Sequence, residues 1–436
     1  MDKERSAPGF PSPSDLTQKT AGATVSWRRS VGKLHPIAAT VIWLVVFASC
    51  FTLFVGPDAF RMFRGSEQRK WGFIDANGQV VIKPTFDRVK GIGVPSKLGP
   101  IVCCIVNPHK SFNEGLAAVC VGEQWGFIDK TGKIIVEPQY DDVGDFSEGL
   151  ACVIKNDKLG FIDRTGKVVI PLQFDGTAFD GDLTKFNDGV CVVKRTPFSM
   201  IYIDKKGNDA LGKSFTDAAP FSEGLAVVDV MKNARVIDRS GNVVLSIPIN
   251  WRRLGSVLPA GRFSEGYLRI CGYDHAENPR AHFWFVDKTG KAAGSGIYES
   301  AHDFSDGLAA VMLMGTNKYG FIDQTGKSVI EPAYESPGDF HEGLAPVRLY
   351  HKDKEADSDL WGYIDRTGNL LVQPQFTNAQ SFSQGRAAVR IGKGASQREG
   401  YIDKTGRLTI PANYYKAFPF SEGLAAVEMP VPSAKQ

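Results

Sequence analysis

The amino-acid sequence predicts an all-β protein of nine repeats, each with three to four short antiparallel strands, preceded by one transmembrane helix. The repeats follow from a step Asp-x-x-Gly that recurs from Asp75 to Asp403 at spacings of 34 to 54 residues. Glycine supplies 46 of the 436 residues, and such an excess indicates many tight turns between short strands. The helix follows from a run of 19 uncharged residues at 37–55.

The N-terminal segment divides into three predicted parts. Residues 1–36 are rich in Pro, Ser, Thr and Lys and have little apolar periodicity, which predicts a disordered basic tail. A helix over 37–55 would extend about 28 Å, close to the thickness of a bilayer core, and this length predicts a single-pass membrane anchor. Gly56–Pro57 ends the helix, and residues 56–70 form a linker.

Basic residues flank the predicted helix unequally. Arg28, Arg29 and Lys33 precede it, whereas Arg61 and Arg64 follow it. Under the positive-inside rule this bias places the N-terminus in the cytoplasm and the repeats outside. Three alternatives stay open: a cleaved signal peptide, a lipoprotein, and twin-arginine export.

Each repeat contains two short motifs, which the second repeat shows clearly. The first runs from Trp125 through Gly-Phe-Ile-Asp to Gly132, and the second is Phe-Ser-Glu-Gly149 followed by Leu-Ala-x-Val. The aspartates of the first motif are Asp75, Asp129, Asp163, Asp204, Asp238, Asp287, Asp323, Asp365 and Asp403. The glycines of the second motif are Gly115, Gly149, Gly189, Gly224, Gly266, Gly307, Gly343, Gly385 and Gly423.

This two-part motif resembles the WG-repeat (KWG-like) family of predominantly bacterial proteins. The resemblance covers residues 71–427, and the Trp-Gly pair is complete only at Trp71, Trp125 and Trp361. It implies interaction mediated by the repeats and brings no defined catalytic centre.

The residue types of each repeat predict the same β structure independently. Gly-Phe-Ile-Asp and Lys-Ile-Ile-Val are β-branched and aromatic runs on either side of a turn. Asp at the first position of that turn accepts hydrogen bonds from turn amides, and Gly at the fourth position adopts a conformation closed to other residues. We therefore predict a β domain over 71–429, followed by a C-terminal tail at 430–436.

The two ends of the array predict its closure. The first repeat begins at Trp71 with no Leu-Ala-x-Val strand before it, and the last stops at Leu424–Val427 with no Gly-Phe-Ile-Asp strand after it. The two ends are thus the halves of one missing hairpin, and their pairing would remove two exposed edges. We predict a propeller-like closed ring, with an open β-solenoid or spiral as the alternative.

The polar residues of the motifs have structural interpretations. Nine equivalent aspartates do not supply the different convergent groups that a catalytic site needs, and the acidic ligands of a calcium loop are missing beside them. The glutamates of Phe-Ser-Glu-Gly are replaced by Asp188, Asp306 and Gln384, so we predict exposed turn residues there. The tryptophans are expected to pack between neighbouring repeats. No catalytic, cofactor-binding or metal-binding residue is predicted.

The seven cysteines give no zinc or redox motif, because no Cys-x-x-Cys occurs. Cys120, Cys152 and Cys191 lie in apolar strand segments and are expected to be small buried hydrophobic residues. Cys103 and Cys104 are adjacent, and pairing of either with another cysteine stays open.

Basic residues cluster at the Asp-x-x-Gly tips, where a shared edge would form a basic rim for an anionic surface or polymer. The tip cations are Lys130, Lys133, Arg164, Lys167, Lys205, Lys206, Arg239, Lys288, Lys291, Lys327, Arg366, Lys404 and Arg407. A formal net charge of +3 is too small to predict a nucleic-acid partner.

The sequence therefore predicts a membrane-anchored β-repeat scaffold that binds a protein or ligand and catalyses nothing itself. The alternative is an envelope enzyme or sensor with its site in the longer insertions at 89–111, 272–282 and 350–360, since sites often lie on loops of a rigid repeat frame.

Overall fold

The computed structural model describes residues 68–89, 112–176, 184–196, 199–229, 234–246, 254–259, 262–274, 281–349 and 360–431. Residues from Arg69 onward form one compact unit. The predicted tail at 1–36, the predicted transmembrane helix at 37–55, nearly all of the linker, Cys103 and Cys104 lie outside the described residues. The same holds for most of the three insertions and for residues 432–436.

The described part is made almost entirely of short antiparallel strands. The strands of the first half are β1 (Arg69–Asp75), β2 (Val80–Phe86), β3 (Arg88–Val89), β4 (Leu116–Val121), β5 (Gln124–Asp129), β6 (Ile134–Tyr140), β7 (Asp142–Val143), β8 (Leu150–Lys155), β9 (Lys158–Asp163), β10 (Val168–Asp175), β11 (Cys191–Thr196), β12 (Ser199–Ile203), β13 (Leu225–Val228), β14 (Arg235–Asp238) and β15 (Val243–Ser246). Those of the second half are β16 (Leu254–Pro259), β17 (Tyr267–Asp274), β18 (Ala281–Asp287), β19 (Tyr298–Ala301), β20 (Leu308–Leu313), β21 (Tyr319–Asp323), β22 (Ser328–Pro337), β23 (Leu344–Leu349), β24 (Trp361–Asp365), β25 (Leu370–Phe376), β26 (Asn378–Ala379), β27 (Ala387–Ile391), β28 (Arg398–Ile402), β29 (Leu408–Tyr414), β30 (Lys416–Ala417) and β31 (Leu424–Pro430).

The predicted fold class needs correction in its closure and in its helix. The described strands form seven separate sheets of two to ten strands, and none of these sheets closes on itself. The prediction of a closed, propeller-like ring is therefore wrong for the sheets, because the ladder is interrupted between most neighbouring repeats and runs on without a break only from β16 to β25. Within the described ranges, no helix is long and apolar enough to cross a membrane, and the one helix found there is the 3-10 turn Gly394–Ser396. The fold is thus all-β.

The pairing of the two terminal strands is confirmed. Strand β1 lies antiparallel to β31 over seven residue pairs, from Arg69 opposite Pro430 to Asp75 opposite Leu424. They lie at the centre of a four-stranded sheet with the order β2-β1-β31-β30. An open array would leave these two strands as unpaired edges, so the alternative of an open solenoid does not describe the ends of the domain.

The hydrophobic core lies between neighbouring repeats as well as within them. One cluster joins Phe73 of the first repeat to Phe112, Val119 and Ile128 of the next hairpin. In eight of the nine repeats the Phe of the Phe-Ser-Glu-Gly motif packs against the aromatic ring of the preceding Gly-Phe-Ile-Asp strand or its equivalent; Phe73 and Phe112, for example, meet edge to face at 5.0 Å. Such a pair contributes about 0.5–1.5 kcal/mol beyond its buried area. The exception is Phe263, which packs in a cluster with Val236. Each repeat therefore depends on its neighbour for its core.

The predicted packing roles of tryptophan and cysteine are confirmed where the structure describes them. Trp71 and Trp125 are buried, and Trp71 stacks on Phe418 of the last repeat with ring centres 4.8 Å apart. Cys120, Cys152 and Cys191 are buried free thiols. Burial raises the pKa of the Cys191 thiol well above its ordinary value, which keeps it in the neutral form that an apolar core favours.

Candidate functional site

The Asp-x-x-Gly tips have the turn geometry that the sequence predicts. In the second repeat the Oδ1 atom of Asp129 accepts hydrogen bonds from the backbone N–H of Thr131 at 2.9 Å and of Lys133 at 3.0 Å. The Thr131 hydroxyl donates to the same oxygen at 2.6 Å, and Gly132 closes the turn with φ +86°. All nine aspartates accept the two equivalent backbone bonds. The prediction that they cap turns is confirmed.

These hydrogen bonds also fix the charge of the tip carboxylates. The Thr131 hydroxyl first, and then the two backbone donors, hold the pKa of Asp129 below its ordinary value. The aspartates that share this direction and this leading threonine contact are Asp163, Asp287, Asp323, Asp365 and Asp403. At neutral pH the tips therefore carry fixed, internally satisfied negative charges beside their basic residues.

The Ser-Glu-Gly turns adopt a strained conformation at a residue that is not glycine. Glu148 has φ +52° and Gly149 has φ +88°, and two consecutive left-handed residues are the signature of a type I′ turn. Ser147 and Leu150 exchange both backbone hydrogen bonds across it, at 2.9 and 3.2 Å. Every repeat places Glu, Asp or Gln in this strained position, with φ between +50° and +54°. Such strain persists only where surrounding contacts compensate for it.

The compensating contact is a hydrogen bond from the next turn. The Gly189 N–H donates to the carboxylate of Glu148, with N–O distances of 3.1 and 3.2 Å, and equivalent bonds join each turn to its successor. The further links are Glu114 to Gly149, Asp188 to Gly224, Glu223 to Gly266, Glu265 to Gly307, Asp306 to Gly343, Glu342 to Gly385, Gln384 to Gly423, and Glu422 to Gly115. The last link joins the final turn to the first, so every turn in the array is both donor and acceptor.

The prediction that these are exposed turn residues is confirmed for Glu223, Glu265 and Glu342 but is incomplete, because each of them also accepts a hydrogen bond from the next turn. Glu148 is half-buried and connects two repeats. The sequence signal was present but ambiguous, because Asp188 and Gln384 keep a side-chain oxygen that can accept the same bond. Asp and Gln in place of Glu keep the hydrogen-bond acceptor, so their presence in other repeats does not mean that the position tolerates any residue.

A second set of bonds runs in parallel from the serine hydroxyls. Ser147 donates from Oγ to the carbonyl oxygen of Phe186 in the next repeat at 2.7 Å. Ser421, in the last turn, donates to the carbonyl oxygen of Phe112 in the first at 2.6 Å. Equivalent bonds are made by Ser222, Ser264, Ser305 and Ser383. The Phe-Ser-Glu-Gly motif thus supplies both a core ring and two hydrogen bonds between repeats.

The predicted basic rim is partly neutralised by the same turns. Four tip lysines form ion pairs with turn glutamates: Lys130 with Glu422, Lys205 with Glu148, Lys288 with Glu223, and Lys404 with Glu342, all at 3.0 to 3.3 Å. Burial alone would raise the pKa of Glu422, but its contacts with Lys130 and with backbone N–H groups lower it overall. The Asp-x-x-Gly tips therefore lie beside the Ser-Glu-Gly turns, and the turn glutamates interrupt the positively charged surface that the tip cations would form.

Five of the turns meet around one polar cavity of about 470 Å³. It is lined by Asn113, Glu114, Phe146, Ser147, Glu342, Ser383, Gln384, Phe420, Ser421 and Glu422. These residues come from the turns that contain Gly115, Gly149, Gly343, Gly385 and Gly423. The sequence does not predict this cavity, because no local pattern shows that turns about 300 residues apart in the chain come together.

A protein-family model for the WG containing repeat matches residues 71–92, 125–158, 160–195, 202–230, 285–315, 319–351, 361–394 and 400–429. These segments make up more than half of the chain. The chain belongs to the WG-repeat family. The eight matched segments leave out the repeat around Asp238, which nevertheless keeps the Asp-x-x-Gly tip and its backbone hydrogen bonds.

Comparison with solved structures gives only weak similarities to this WG-repeat chain. BamB from Moraxella catarrhalis is 11% identical with a TM-score of 0.40, and the match covers 73% of this chain and 94% of BamB. A eukaryotic initiation factor is 11% identical with a TM-score of 0.48, covering 84% and 100% of the two chains. The WD40 β-propeller domain of Doa1 is 10% identical with a TM-score of 0.28, covering 68% and 94%. No curated protein matches the sequence.

The WG-repeat turns present hydrogen-bonding and charged side chains to the cavity. The cavity presents carboxylates, an amide and hydroxyls, and Glu342 and Glu422 among them already hold a backbone N–H and a lysine. Among the residues that the structure describes, no group of three or more His, Cys, Asp or Glu side chains is arranged to hold a metal ion.

Proposed function

We propose that the WG-repeat domain is a binding scaffold that receives a protein or ligand partner at the polar cavity formed by its turns. The observation that carries this proposal is the convergence of five Phe-Ser-Glu-Gly turns on one cavity, each turn fixed by hydrogen bonds to its neighbour. Groups held in this way lose little conformational entropy when a partner binds, which favours recognition.

The dimensions and chemistry of the cavity support this proposal. A volume of about 470 Å³ is within the range of roughly 300–1,000 Å³ that ligand pockets occupy. The side-chain amide of Gln384, whose oxygen already accepts from the Gly423 N–H, provides N–H donors at the cavity wall. We propose no catalytic step, because the lining groups hold the turns together and none forms a nucleophile–base pair of the kind that covalent catalysis requires.

Two expectations from the sequence accompany the scaffold as proposals. The first is contact between the tips and an anionic surface or polymer. It would be made by tip cations such as Lys133, Lys167 and Arg407, for which no ion pair with a turn glutamate is found in the described part of the chain.

The second proposal concerns location, with the N-terminus in the cytoplasm and the repeats outside. A C-terminal reporter that is active only in the cytoplasm tests this location, and activity of that reporter would contradict it.

The alternative of an envelope enzyme or sensor rests on the three insertions, which lie mostly outside the described residues. No contact or cavity in the described part favours it. Alanine substitution throughout the insertions separates the alternatives, because a scaffold that binds at the turns should keep its partner.

Blocking the cavity tests the scaffold directly. We expect Gln384→Arg to fill the cavity wall with a longer, charged side chain and to weaken binding of the co-purified partner at least about tenfold, roughly 1.4 kcal/mol. Val169→Arg is the matched control, since Val169 is exposed on strand β10 and does not line the cavity. Binding of the purified partner is measured by calorimetry. Equal affinity of wild type and Gln384→Arg would remove the cavity as the binding site.

A further inference from the structure

We propose that Gln384 binds a carboxamide group of a partner protein, the side chain of an asparagine or a glutamine, in the polar cavity. Gln384 belongs to the turn of the eighth repeat and lines this cavity. This role rests on the scaffold function proposed above, because the cavity is the same, and it specifies the chemistry of the partner.

Gln384 is the one uncharged residue among the nine side chains that link the turns. The other eight are carboxylates, and an ionised carboxylate only accepts hydrogen bonds. They are Glu114, Glu148, Asp188, Glu223, Glu265, Asp306, Glu342 and Glu422. A glutamine side chain carries two N–H donors beside its acceptor oxygen. The turn of the eighth repeat can therefore donate as well as accept.

The orientation of the Gln384 amide is fixed by its own turn contact. Its Oε1 accepts the Gly423 N–H at 2.9 Å, and because an N–H needs an acceptor, the oxygen and not the nitrogen must face Gly423. In the described part of the chain, no protein group accepts a hydrogen bond from Nε2 of Gln384. Gln384 is exposed to solvent, so a partner can reach these donors.

The tip beside this turn has alanine where the other eight tips have a polar residue directly after the aspartate. In the turn before it, Glu342 pairs with the tip residue Lys404 at 3.3 Å. In the turn after it, Glu422 pairs with the tip residue Lys130 at 3.0 Å. These contacts join the ninth tip to the seventh turn and the second tip to the ninth turn. The same step brings the first tip to the eighth turn, and the residue there is Ala76, which has no polar side-chain atom to engage the amide.

The groups around Gln384 favour an uncharged ligand that both accepts and donates. Three carboxylates also line the cavity, those of Glu114, Glu342 and Glu422. Because like charges repel, they disfavour an acidic side chain of a partner. A lysine or arginine side chain would be attracted by the carboxylates, but it has no acceptor for Nε2 of Gln384.

A carboxamide meets both requirements. Its oxygen can accept from Nε2 of Gln384 while its N–H donates to the second lone pair of Oε1, which gives two parallel hydrogen bonds between planar groups. The hydroxyls of Ser383 and Ser421 line the same cavity and donate to backbone carbonyl oxygens at 2.8 and 2.6 Å. Their oxygens therefore remain acceptors for the second N–H of the ligand.

Calorimetric titration of the full-length protein tests this subsite with three end-capped peptides, tri-glutamine, tri-glutamate and tri-lysine. Tri-glutamine and tri-glutamate have nearly the same shape, and they differ in the replacement of each amide nitrogen by a charged oxygen. We expect tri-glutamine to bind with a Kd on the order of 1 mM. Each charged peptide should bind at least about tenfold more weakly.

Two variants isolate the contribution of the amide donors. Gln384→Glu keeps an acceptor for the Gly423 N–H, as the glutamates of other turns do, but removes Nε2. Combined with Ala76→Lys, it recreates the lysine–glutamate contact of the neighbouring turns without changing the net charge. Both variants should weaken tri-glutamine binding at least about tenfold. The matched control is Glu148→Gln, which lies in an equivalent turn, does not line the cavity and should bind as the wild type does.

Failure of this subsite can be told apart from failure of the scaffold function. A purified partner whose binding is lost in Gln384→Arg, together with no binding of tri-glutamine, supports the scaffold function and overturns the carboxamide subsite. Unchanged tri-glutamine binding in both Gln384→Glu variants also overturns the subsite, as does equal loss in Glu148→Gln. Tighter binding of tri-lysine or tri-glutamate than of tri-glutamine overturns it in favour of a basic or an acidic partner. Melting temperatures without peptide distinguish lost binding from lost folding, and if the double variant unfolds early, Gln384→Glu alone decides.

Discussion

Replacing Glu148 tests whether the turn-to-turn hydrogen bonds stabilise the WG-repeat domain. Glu148→Ala removes the acceptor of the Gly189 N–H and the ion-pair partner of Lys205. Glu148→Gln removes only the negative charge, because a Gln oxygen already accepts the equivalent bond at Gln384, 2.9 Å from the Gly423 nitrogen. Glu, Ala and Gln at position 148 would all have to adopt the same left-handed backbone conformation. The cost of that conformation is therefore similar in the wild type and both variants.

The expected magnitudes follow from the two contacts. A hydrogen bond to a charged acceptor contributes about 1.5–3 kcal/mol when buried, and we take the lower end because Glu148 is only half-buried. The ion pair with Lys205 adds at most about 0.5–1 kcal/mol, since nearly half of the lysine side chain, 47%, is exposed to solvent. Glu148→Ala should therefore lower the free energy of unfolding by about 2 kcal/mol, and Glu148→Gln by about 0.5 kcal/mol.

Two measurements separate this explanation from a general loss of packing. Urea denaturation gives the free energy of unfolding for each variant, and hydrogen exchange reports on the peptide that contains Gly189. Exchange at Gly189 should accelerate in Glu148→Ala and stay near the wild-type rate in Glu148→Gln. Equal stability of the two variants, or an alanine variant within about 0.5 kcal/mol of wild type, would refute the reasoning.

Three further predictions concern the tips and the ends of the domain. Gly132→Val should cost about 2 kcal/mol or more in denaturation experiments, because Gly132 has φ +86° and a Cβ there would lie 3.0 Å from Ile82 of the preceding repeat. Deleting residues 420–436 removes the partner of strand β1, so the folded domain should be lost in circular dichroism and not merely shortened. Thr131→Ala should raise the pKa of Asp129 toward its ordinary value, as measured by NMR titration. Because the pKa of Asp129 is lowered in the folded protein, its ionised form stabilises the fold at pH values above the ordinary Asp pKa, and this stabilisation is lost as the pH falls. The difference in unfolding free energy between wild type and Thr131→Ala should therefore become smaller at acidic pH.

Most of the fold could be predicted from the sequence, because its main signals are local. The Asp-x-x-Gly turn depends on residues within five positions of one another, and the alternation around it predicts short strands. The pairing of β1 with β31 was also predictable from the incomplete units at Trp71 and Leu424. The separation of the strands into seven sheets could not be predicted from the sequence. It depends on where irregularities interrupt the hydrogen-bond ladders, and the sequence of a single repeat does not show these positions.

The candidate site could be predicted only in part. The motif Phe-Ser-Glu-Gly marked the turns, but their function depends on contacts between residues 35 to 43 positions apart, such as Glu148 with Gly189 and Gln384 with Gly423. The longest-range link, from Glu422 to Gly115, spans 307 positions.

The glycine of the Trp-Gly pair follows from a feature of the adjacent strand. Strand β5 pairs with β6 through Trp125 and Tyr140 and again through Phe127 and Val136, so extra residues of β6 bulge past Gly126. A Cβ on Gly126 would overlap the carbonyl oxygen of Val136, which excludes every other residue there. The positions equivalent to Gly126 that share this obstruction are Gly72, Gly160, Gly320, Gly362 and Gly400.

Three repeats have a larger residue in place of this glycine. Ile201, Arg235 and Trp284 occupy the equivalent positions before Asp204, Asp238 and Asp287. In two of these repeats the following segment keeps the spacing seen at Gly126, since Met200 lies opposite Phe215 and Ile203 opposite Asp209, and Phe283 lies opposite Tyr298 and Val286 opposite Ala292. In the third, β15 is short and pairs directly opposite Arg235. Their Ser-Glu-Gly and Ser-Asp-Gly turns are still linked to the neighbouring turns. Continuity of the array therefore depends on the turns, which are linked in every repeat, whereas the close backbone approach at the Trp-Gly glycine is found in six of the nine repeats.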